Sequence, residues 1–183
     1  PLENIILKKQ VDAETREDLN VMKQNTERLL NLTNQLLDFR KTESQGFRLN
    51  FAKCNITEVL KETHIRFTSL AKQKGLEFTL QVPEKDFYAH VNQEAFTKII
   101  SNLLNNGMKY AESYVHVMLE IPETDDDNLF RIRTVNDGVI IPDEMKEEIF
   151  KPFVRFNEQE DGKVTTGTGI GLALSRSLAE LHL

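Results

Sequence analysis

The sequence predicts an α+β protein that begins with one long amphipathic helix. Met22, Leu29 and Leu36 recur every seven residues, which is the period of an apolar stripe on a helix. The alternation of apolar and polar residues over Leu76–Val82 is typical of a half-buried strand. Apolar residues return to helical spacing over Gln93–Lys109. Segments of both periods in one chain indicate helices packed on a sheet.

The composition limits the classes of protein to which this chain can belong. It has 183 residues, of which 28% are charged and 39% are hydrophobic, and its net charge is −6. This length suits one globular domain with an appendage. The acidic balance argues against a nucleic-acid-binding protein. Cys54 is the single cysteine, which excludes an internal disulfide and a cysteine-based zinc site, and no apolar run approaches the length of a membrane span.

The first segment, residues 1–43, is predicted to be helical. Asp12 is placed to cap the long helix, and Leu32 and Phe39 form a second apolar row beside the row that contains Met22. A single helix cannot bury such a stripe alone. The seven-residue spacing favours an intermolecular helical bundle, and the alternative is a helix packed on its own globular domain.

The remaining elements are predicted from periodicity and from turn residues. Before the Gln93 helix we expect, in order, a short strand at Phe47–Phe51, a helix capped by Asn55 or Thr57 that ends near Gly75, the strand at Leu76–Val82, and a short strand within Asp86–Val91. After it, strands at Tyr114–Ile121 and Leu129–Val135 are joined by an acidic turn at residues 122–128 and should pair antiparallel.

The helix at Gln93–Lys109 carries an unusual polar row. At 100° per residue, Asn102, Asn106 and Lys109 fall within about 60° of one another, opposite the apolar face. An asparagine oxygen is a neutral hard ligand for Mg²⁺, and a lysine ammonium can meet a phosphate. The alternative for this row is a solvated polar face.

A glycine-rich turn precedes the last predicted helix. Gly167, Gly169 and Gly171 occupy alternate positions, and an apolar helical pattern begins at Leu172. Glycine permits a tight turn, and the N–H groups at the start of a helix attract a phosphate chain. By itself the pattern also fits a tight loop before a helix. The polar stretch at residues 157–166 is predicted to be a mobile lid over a ligand.

Four motifs in order resemble those of sensor histidine kinases. The stretch Asn102–Ala111 is similar to the asparagine box of that family, and Asn136–Pro142 to its first glycine box. Phe150–Phe153 resembles its phenylalanine box, and Gly167–Leu172 its second glycine box. Asn25–Arg40 looks like the second helix of the dimerisation hairpin of the family. Its sequence is most similar in type to that of the large hybrid sensor kinases. The resemblance covers essentially the whole chain.

The resemblance implies a fold, a domain organisation and a set of site residues. The fold would be a Bergerat-type two-layer α/β sandwich with a mixed, mostly antiparallel sheet at residues 44–183, truncated at its C-terminus, preceded at residues 1–43 by part of the dimerisation hairpin. Asn106 would bind Mg²⁺, and Asn102 and Lys109 would act on the phosphates of ATP. The implied nucleotide contacts are Asn102, Asn106, Lys109, Tyr110, Asn136, Asp137, Gly138, Arg155, Gly167, Thr168, Gly169, Ile170, Gly171 and Leu172, and Arg155 and Lys163 are the weaker phosphate candidates.

The chain departs from the family pattern at the first glycine box. The family opens this box with an aspartate that accepts a hydrogen bond from the exocyclic amine of adenine, and Asn136 holds that place here. An amide oxygen can still accept, but without charge. If the register slips by one residue, Asp137 would serve instead. Ile140 replaces the second glycine of the box.

The resemblance also implies the activity and the partners. ATP would phosphorylate a histidine outside this chain, because none of its four histidines lies in the His-Glu-x-x-Thr-Pro context of the family. The phosphoryl group would pass to a receiver aspartate of a response regulator, the hairpin would form a homodimer, and the chain would be the cytoplasmic portion of an inner-membrane sensor. The alternative is a degenerate, non-catalytic scaffold. A hydrolysing ATPase is disfavoured because the amide of Asn102 cannot accept a proton from water.

Overall fold

The computed structural model describes residues 12–44, 48–121, 129–156 and 167–183. Its elements in chain order are helix α1 (Ala13–Glu43), strand β1 (Ala52–Asn55), helix α2 (Ile56–Lys74), strands β2 (Glu77–Gln81) and β3 (Tyr88–Val91), helix α3 (Gln93–Tyr110), strands β4 (Tyr114–Glu120) and β5 (Arg131–Asn136), two 3₁₀ turns (Asp143–Met145 and Glu148–Phe150), and helix α4 (Gly171–Glu180). The predicted acidic turn, the predicted lid with Lys163, and Phe47 lie outside the described residues.

The strands form two small sheets, and the predicted α+β class with mostly antiparallel pairing is confirmed. β1 pairs antiparallel with β3, while β4 lies between a parallel neighbour, β2, and an antiparallel neighbour, β5. Alternate residues of β4 are buried, because helices α2 and α3 pack on one side of the three-stranded sheet. The result is a helical layer on a sheet layer, with the main core between them.

The strand predicted at Phe47–Phe51 is wrong in its position. β1 starts at Ala52, and its four residues pair in register with Val91 to Tyr88 of β3. The apolar alternation lies just before this strand. The backbone of β3, however, pairs with the four residues that follow this alternation, Ala52–Asn55.

The predicted ends of α1 and α2 are confirmed. The Asp12 carboxylate accepts a hydrogen bond from the Thr15 N–H at 2.7 Å, and the Asn55 side chain accepts one from the Glu58 N–H at 3.2 Å. Gly75 closes α2 with a φ of 70°, which is the left-handed conformation that favours glycine at this position. Of the two predicted caps for α2, Asn55 is therefore the cap. Thr57 is buried instead.

Helix α1 has two apolar rows, of which one is packed on the domain and the other is exposed. Leu32 and Phe39 pack on a buried cluster formed by Ala95, Ile170, Leu174 and Leu178. In contrast, Met22, Leu29 and Leu36 are 54%, 63% and 37% exposed. The first row therefore follows the alternative in which the helix packs on its own domain. Among the described residues, the exposed row that contains Met22 has no partner element, so the intermolecular bundle stays a prediction.

Among the described residues, no helix combines the length and the apolar character that a transmembrane segment requires.

Candidate functional site

One cleft of about 670 Å³ opens between α1, α3, the end of β5 and the start of α4. Most of the residues that the sequence places at a nucleotide site line it. These are Asn102, Asn106, Lys109, Tyr110, Asn136, Arg155, Gly167, Thr168, Gly169, Gly171 and Leu172. The three that do not line it are Asp137, Gly138 and Ile170. The cleft therefore unites four segments that are far apart in the sequence.

Asn102 joins helix α3 to the beginning of helix α4. Its side-chain NH₂ donates to the Gly171 carbonyl at 3.1 Å and to the Ser175 hydroxyl at 3.2 Å. These two bonds use the donor capacity of the amide and leave its oxygen as the group available to a ligand. Asn102 thus fixes the position of the α4 N-terminus relative to α3.

The next two members of the polar row are arranged differently. The Asn106 amide is half-buried and has no hydrogen-bond partner within the described part of the chain. The Lys109 ammonium donates to the Tyr110 hydroxyl at 2.7 Å and lies 4.4 Å from the centre of the same ring. A Cβ atom on Gly167 would lie 3.0 Å from this ammonium. Lys109 is therefore held beside the glycine-rich turn.

Only one of the three alternating glycines has a positive φ. Gly169 adopts 68°, and a Cβ atom there would lie 2.9 Å from the Phe153 backbone. The Phe153 N–H donates to the Gly169 carbonyl at 2.8 Å, and Phe153 itself has a φ of 66°. The close approach that glycine permits here is between two chain segments. It joins the phenylalanine-containing turn to the start of α4.

The first turn of α4 has no side-chain cap. Its earliest intrahelical N–H bond is donated by Leu174 to the Ile170 carbonyl. The N–H groups of Gly171 and Leu172, which line the cleft, precede that bond. The end of the helix therefore presents unsatisfied N–H groups and a partial positive charge to the cleft. Arg155 lies nearby and donates to the Gly167 carbonyl at 2.8 Å.

Asn136, Asp137 and Gly138, at the end of β5 and in the turn after it, have different roles. The Asp137 carboxylate accepts from the Ser113 hydroxyl and from the backbone N–H groups of Ser113, Tyr114 and Glu112. These bonds, that from the Ser113 hydroxyl first, hold the pKa of Asp137 well below its ordinary value. A Cβ atom on Gly138 would lie 1.9 Å from the Tyr110 carbonyl oxygen. Asp137 and Gly138 therefore fasten β5 to the end of α3, and only Asn136 lines the cleft.

Helix α1 supplies a wall of the cleft that the sequence analysis missed. The residues concerned are Gln24, Glu27, Arg28, Asn31 and Gln35, which recur at helical spacing along one polar face. The Thr168 hydroxyl is within 2.7 Å of the Gln35 side-chain oxygen, and Lys98 and Asp38 form an ion pair at 2.9 Å. The helical spacing of these polar residues can be read from the sequence. That they face the cleft can be seen only in the folded chain.

Residues 91–183 match the model of the histidine kinase-, DNA gyrase B- and HSP90-like ATPases, which is half of the chain. The chain belongs to this ATPase family. It is 29% identical over 164 residues to the sensor histidine kinase WalK of Bacillus subtilis, which covers 90% of this chain and 26% of the relative. It is 30% identical over 184 residues to histidine kinase P4 of Formosa agariphila, of which it spans 13%.

Solved structures show the same fold at lower identity. Full-length ShkA in complex with AMPPNP superposes with a TM-score of 0.76 at 22% identity, over 98% of this chain and 36% of that one. The Acinetobacter baumannii histidine kinase AdeS gives 0.70 at 20% identity, over 98% of this chain and 80% of that one. These likenesses confirm a histidine-kinase ATPase fold with its long preceding helix. The chain itself spans only about a quarter or less of the length of the curated relatives above.

Proposed function

We propose that this chain is the ATP-binding part of a two-component sensor histidine kinase. The observation that carries the proposal is one cleft in which the uncapped start of α4 faces Lys109 and the amides of Asn102 and Asn106. Unsatisfied N–H groups, a helix dipole and an ammonium together favour a polyphosphate. Membership of the ATPase family and the AMPPNP complex of ShkA support the same ligand.

Asn106 is the residue of this chain that would hold Mg²⁺. Its amide is half-buried at the cleft and has no protein partner among the described residues. The described residues contain no group of three acidic, histidine or cysteine side chains that could hold a metal. This donor set fits Mg²⁺, which keeps several waters and is commonly held by few protein ligands and by substrate phosphates. When bound, the ion would neutralise charge that develops on the phosphates.

The residues around the phosphate end suit transfer better than hydrolysis. Asn102 is an uncharged amide, which is not basic enough to take a proton from an attacking water, so it cannot act as a general base. Lys109 would stabilise charge on the transferred phosphoryl group, and the start of α4 would position it. The acceptor in this proposal is a histidine outside the chain.

The wider assignment of the protein follows from its relatives. The solved complex of histidine kinase ThkA with the response regulator TrrA, which has a TM-score of 0.64 with this chain at 21% identity, supports a receiver domain as the partner. We propose residues 1–43 as part of a dimerisation hairpin and residues 44–183 as the catalytic domain. The exposed row of Met22, Leu29 and Leu36 supports a homodimer. The proposed location is the cytoplasmic side of a membrane sensor.

A thermal melt with and without MgATP tests the proposal. ATP at about one hundred times its Kd should add roughly 2.7 kcal/mol, a shift of about 5–11 °C at this chain length. The shift should require Mg²⁺ and should disappear in Asn106→Ala. Asn34→Ala is the matched control, because Asn34 is exposed on α1 and does not line the cleft.

The melt distinguishes an ATP-binding kinase domain from a non-catalytic scaffold, and an assay of phosphate release distinguishes it from a hydrolysing ATPase. A cooperative transition that millimolar ATP leaves unchanged would exclude the ATP-binding assignment and favour a non-catalytic scaffold. Continuous release of phosphate by the isolated chain would instead favour a hydrolysing ATPase. We expect binding without release of phosphate above the background rate.

A further inference from the structure

The cleft has one part that is suited to a heterocycle. Segment 134–141 contributes two polar residues, Thr134 and Asn136, and two apolar ones, Val139 and Ile141, to the lining. The cationic groups and the free N–H groups belong to the other segments. A ligand with a charged phosphate chain and a flat base would therefore place its base against segment 134–141. Thr134 and Asn136 are two residues apart on β5 and share one of its faces.

The orientation of the Asn136 amide is fixed by its neighbour. Its side-chain oxygen accepts a hydrogen bond from the Gly138 N–H at 3.0 Å. Reversing the amide would bring two donors together, so the bond defines which end is the oxygen. Within the described ranges of the chain, the NH₂ group of Asn136 has no hydrogen-bond acceptor. The group of Asn136 without a partner among the described residues is therefore its NH₂ donor, while its oxygen keeps a second lone pair beside the bond from Gly138.

This donor has consequences for the base that the cleft accepts. Adenine carries a 6-amino group, which is a donor, whereas hypoxanthine and guanine carry a 6-oxo group, which is an acceptor. The Thr134 hydroxyl can donate or accept, so it does not distinguish them. An aspartate at position 136 would accept the hydrogen bond from the Gly138 N–H with one carboxylate oxygen, and its second oxygen could accept one from an amine. The asparagine instead keeps an NH₂ group, and this reverses the polarity of the contact.

We propose that Asn136 sets the base specificity of this site, so that a 6-oxopurine nucleoside triphosphate binds at least as tightly as ATP. The inference rests on the proposed nucleotide-binding function and adds the class of base to it. Asn136 acts here as a specificity-determining residue at the base, remote from the groups that meet the phosphates. ATP remains a ligand, but without the preference that an acceptor at this position would give it.

Isothermal titration of the 183-residue chain with MgATP and MgITP tests the inference, because these nucleotides share the ribose triphosphate and differ in the base only at C6 and in the proton that ITP carries on the adjacent N1. For the unaltered chain we expect the Kd for ITP to be equal to or lower than that for ATP. For Asn136→Asp we expect the ratio to move by about tenfold or more toward ATP, which is ~1.4 kcal/mol. Asn105→Asp adds the same charge at another residue of the cleft and should leave the ratio unchanged.

The outcomes separate this inference from the proposed function. Binding of ATP about threefold or more tighter than ITP by the unaltered chain would overturn the inference and leave the nucleotide site intact. An unchanged ratio in Asn136→Asp would also overturn it. If neither nucleotide binds to a folded chain, the proposed function itself fails.

Discussion

Replacement of Phe39 by alanine tests whether helix α1 packs on its own domain. Phe39 is half-buried against the cluster that contains Leu174 and Leu178. A fully buried Phe→Ala change costs roughly 3–5 kcal/mol, so a half-buried ring should cost about 2 kcal/mol. Leu37→Ala is the control on the same helix, because Leu37 is 54% exposed and should cost less than about 0.5 kcal/mol.

Urea denaturation of the three chains measures these differences. Linear extrapolation gives the free energy of unfolding, and a 2 kcal/mol loss also corresponds to a fall in Tm of about 4–8 °C at this length. The measurement should be repeated at two protein concentrations, since a dimer formed through the exposed row would make the stability concentration-dependent. Equal effects of Phe39→Ala and Leu37→Ala at low concentration would refute the packing of α1 on the domain.

Three further perturbations follow from the site. Gly138→Ala should destabilise the fold and abolish nucleotide binding, because the new Cβ would lie 1.9 Å from the Tyr110 carbonyl oxygen; a thermal melt and a titration check both effects. The Asp137 pKa is lowered by folding, so its stabilisation is present above the unfolded-state pKa of about 3.9 and is lost as the pH falls toward the lower folded-state pKa; Asp137→Asn should flatten this part of an acid denaturation curve. In a double-mutant cycle, Gln35→Ala and Thr168→Val should show a coupling free energy of about 1 kcal/mol, and full additivity would show that their 2.7 Å contact contributes nothing.

Local signals explain what the sequence predicted well. The cap at Asp12, the cap at Asn55 or Thr57 and the stop near Gly75 depend on a few adjacent residues, and the structure has Asp12, Asn55 and Gly75 in these roles. The polar row of α3 also follows from helical geometry alone. The position of β1 could not be predicted in this way, because its pairing partners lie far along the chain in β3, where Ala52 is opposite Val91 and Asn55 is opposite Tyr88.

The residues of the first glycine box illustrate a second kind of limit. Asn136 and Asp137 are adjacent and chemically similar, so a sequence alone leaves their roles exchangeable. Only the packing of β5 against the start of β4 brings the Asp137 carboxylate within reach of three successive backbone N–H groups. A carboxylate occupied by these donors is poorly placed to serve a ligand. Of the two residues only Asn136 lines the cleft, and it is the one that we propose to meet the base.

Helix α1 carries two adjacent apolar rows, one packed on its own domain and one exposed. Its Leu32 row packs on Ile170 and Leu174, directly beside the N–H groups proposed to bind phosphate. Its Leu29 row is exposed and is the surface proposed for a second helix. The two rows belong to one rigid helix, so a rotation that changes the packing of one row must also move Gln35 relative to Thr168.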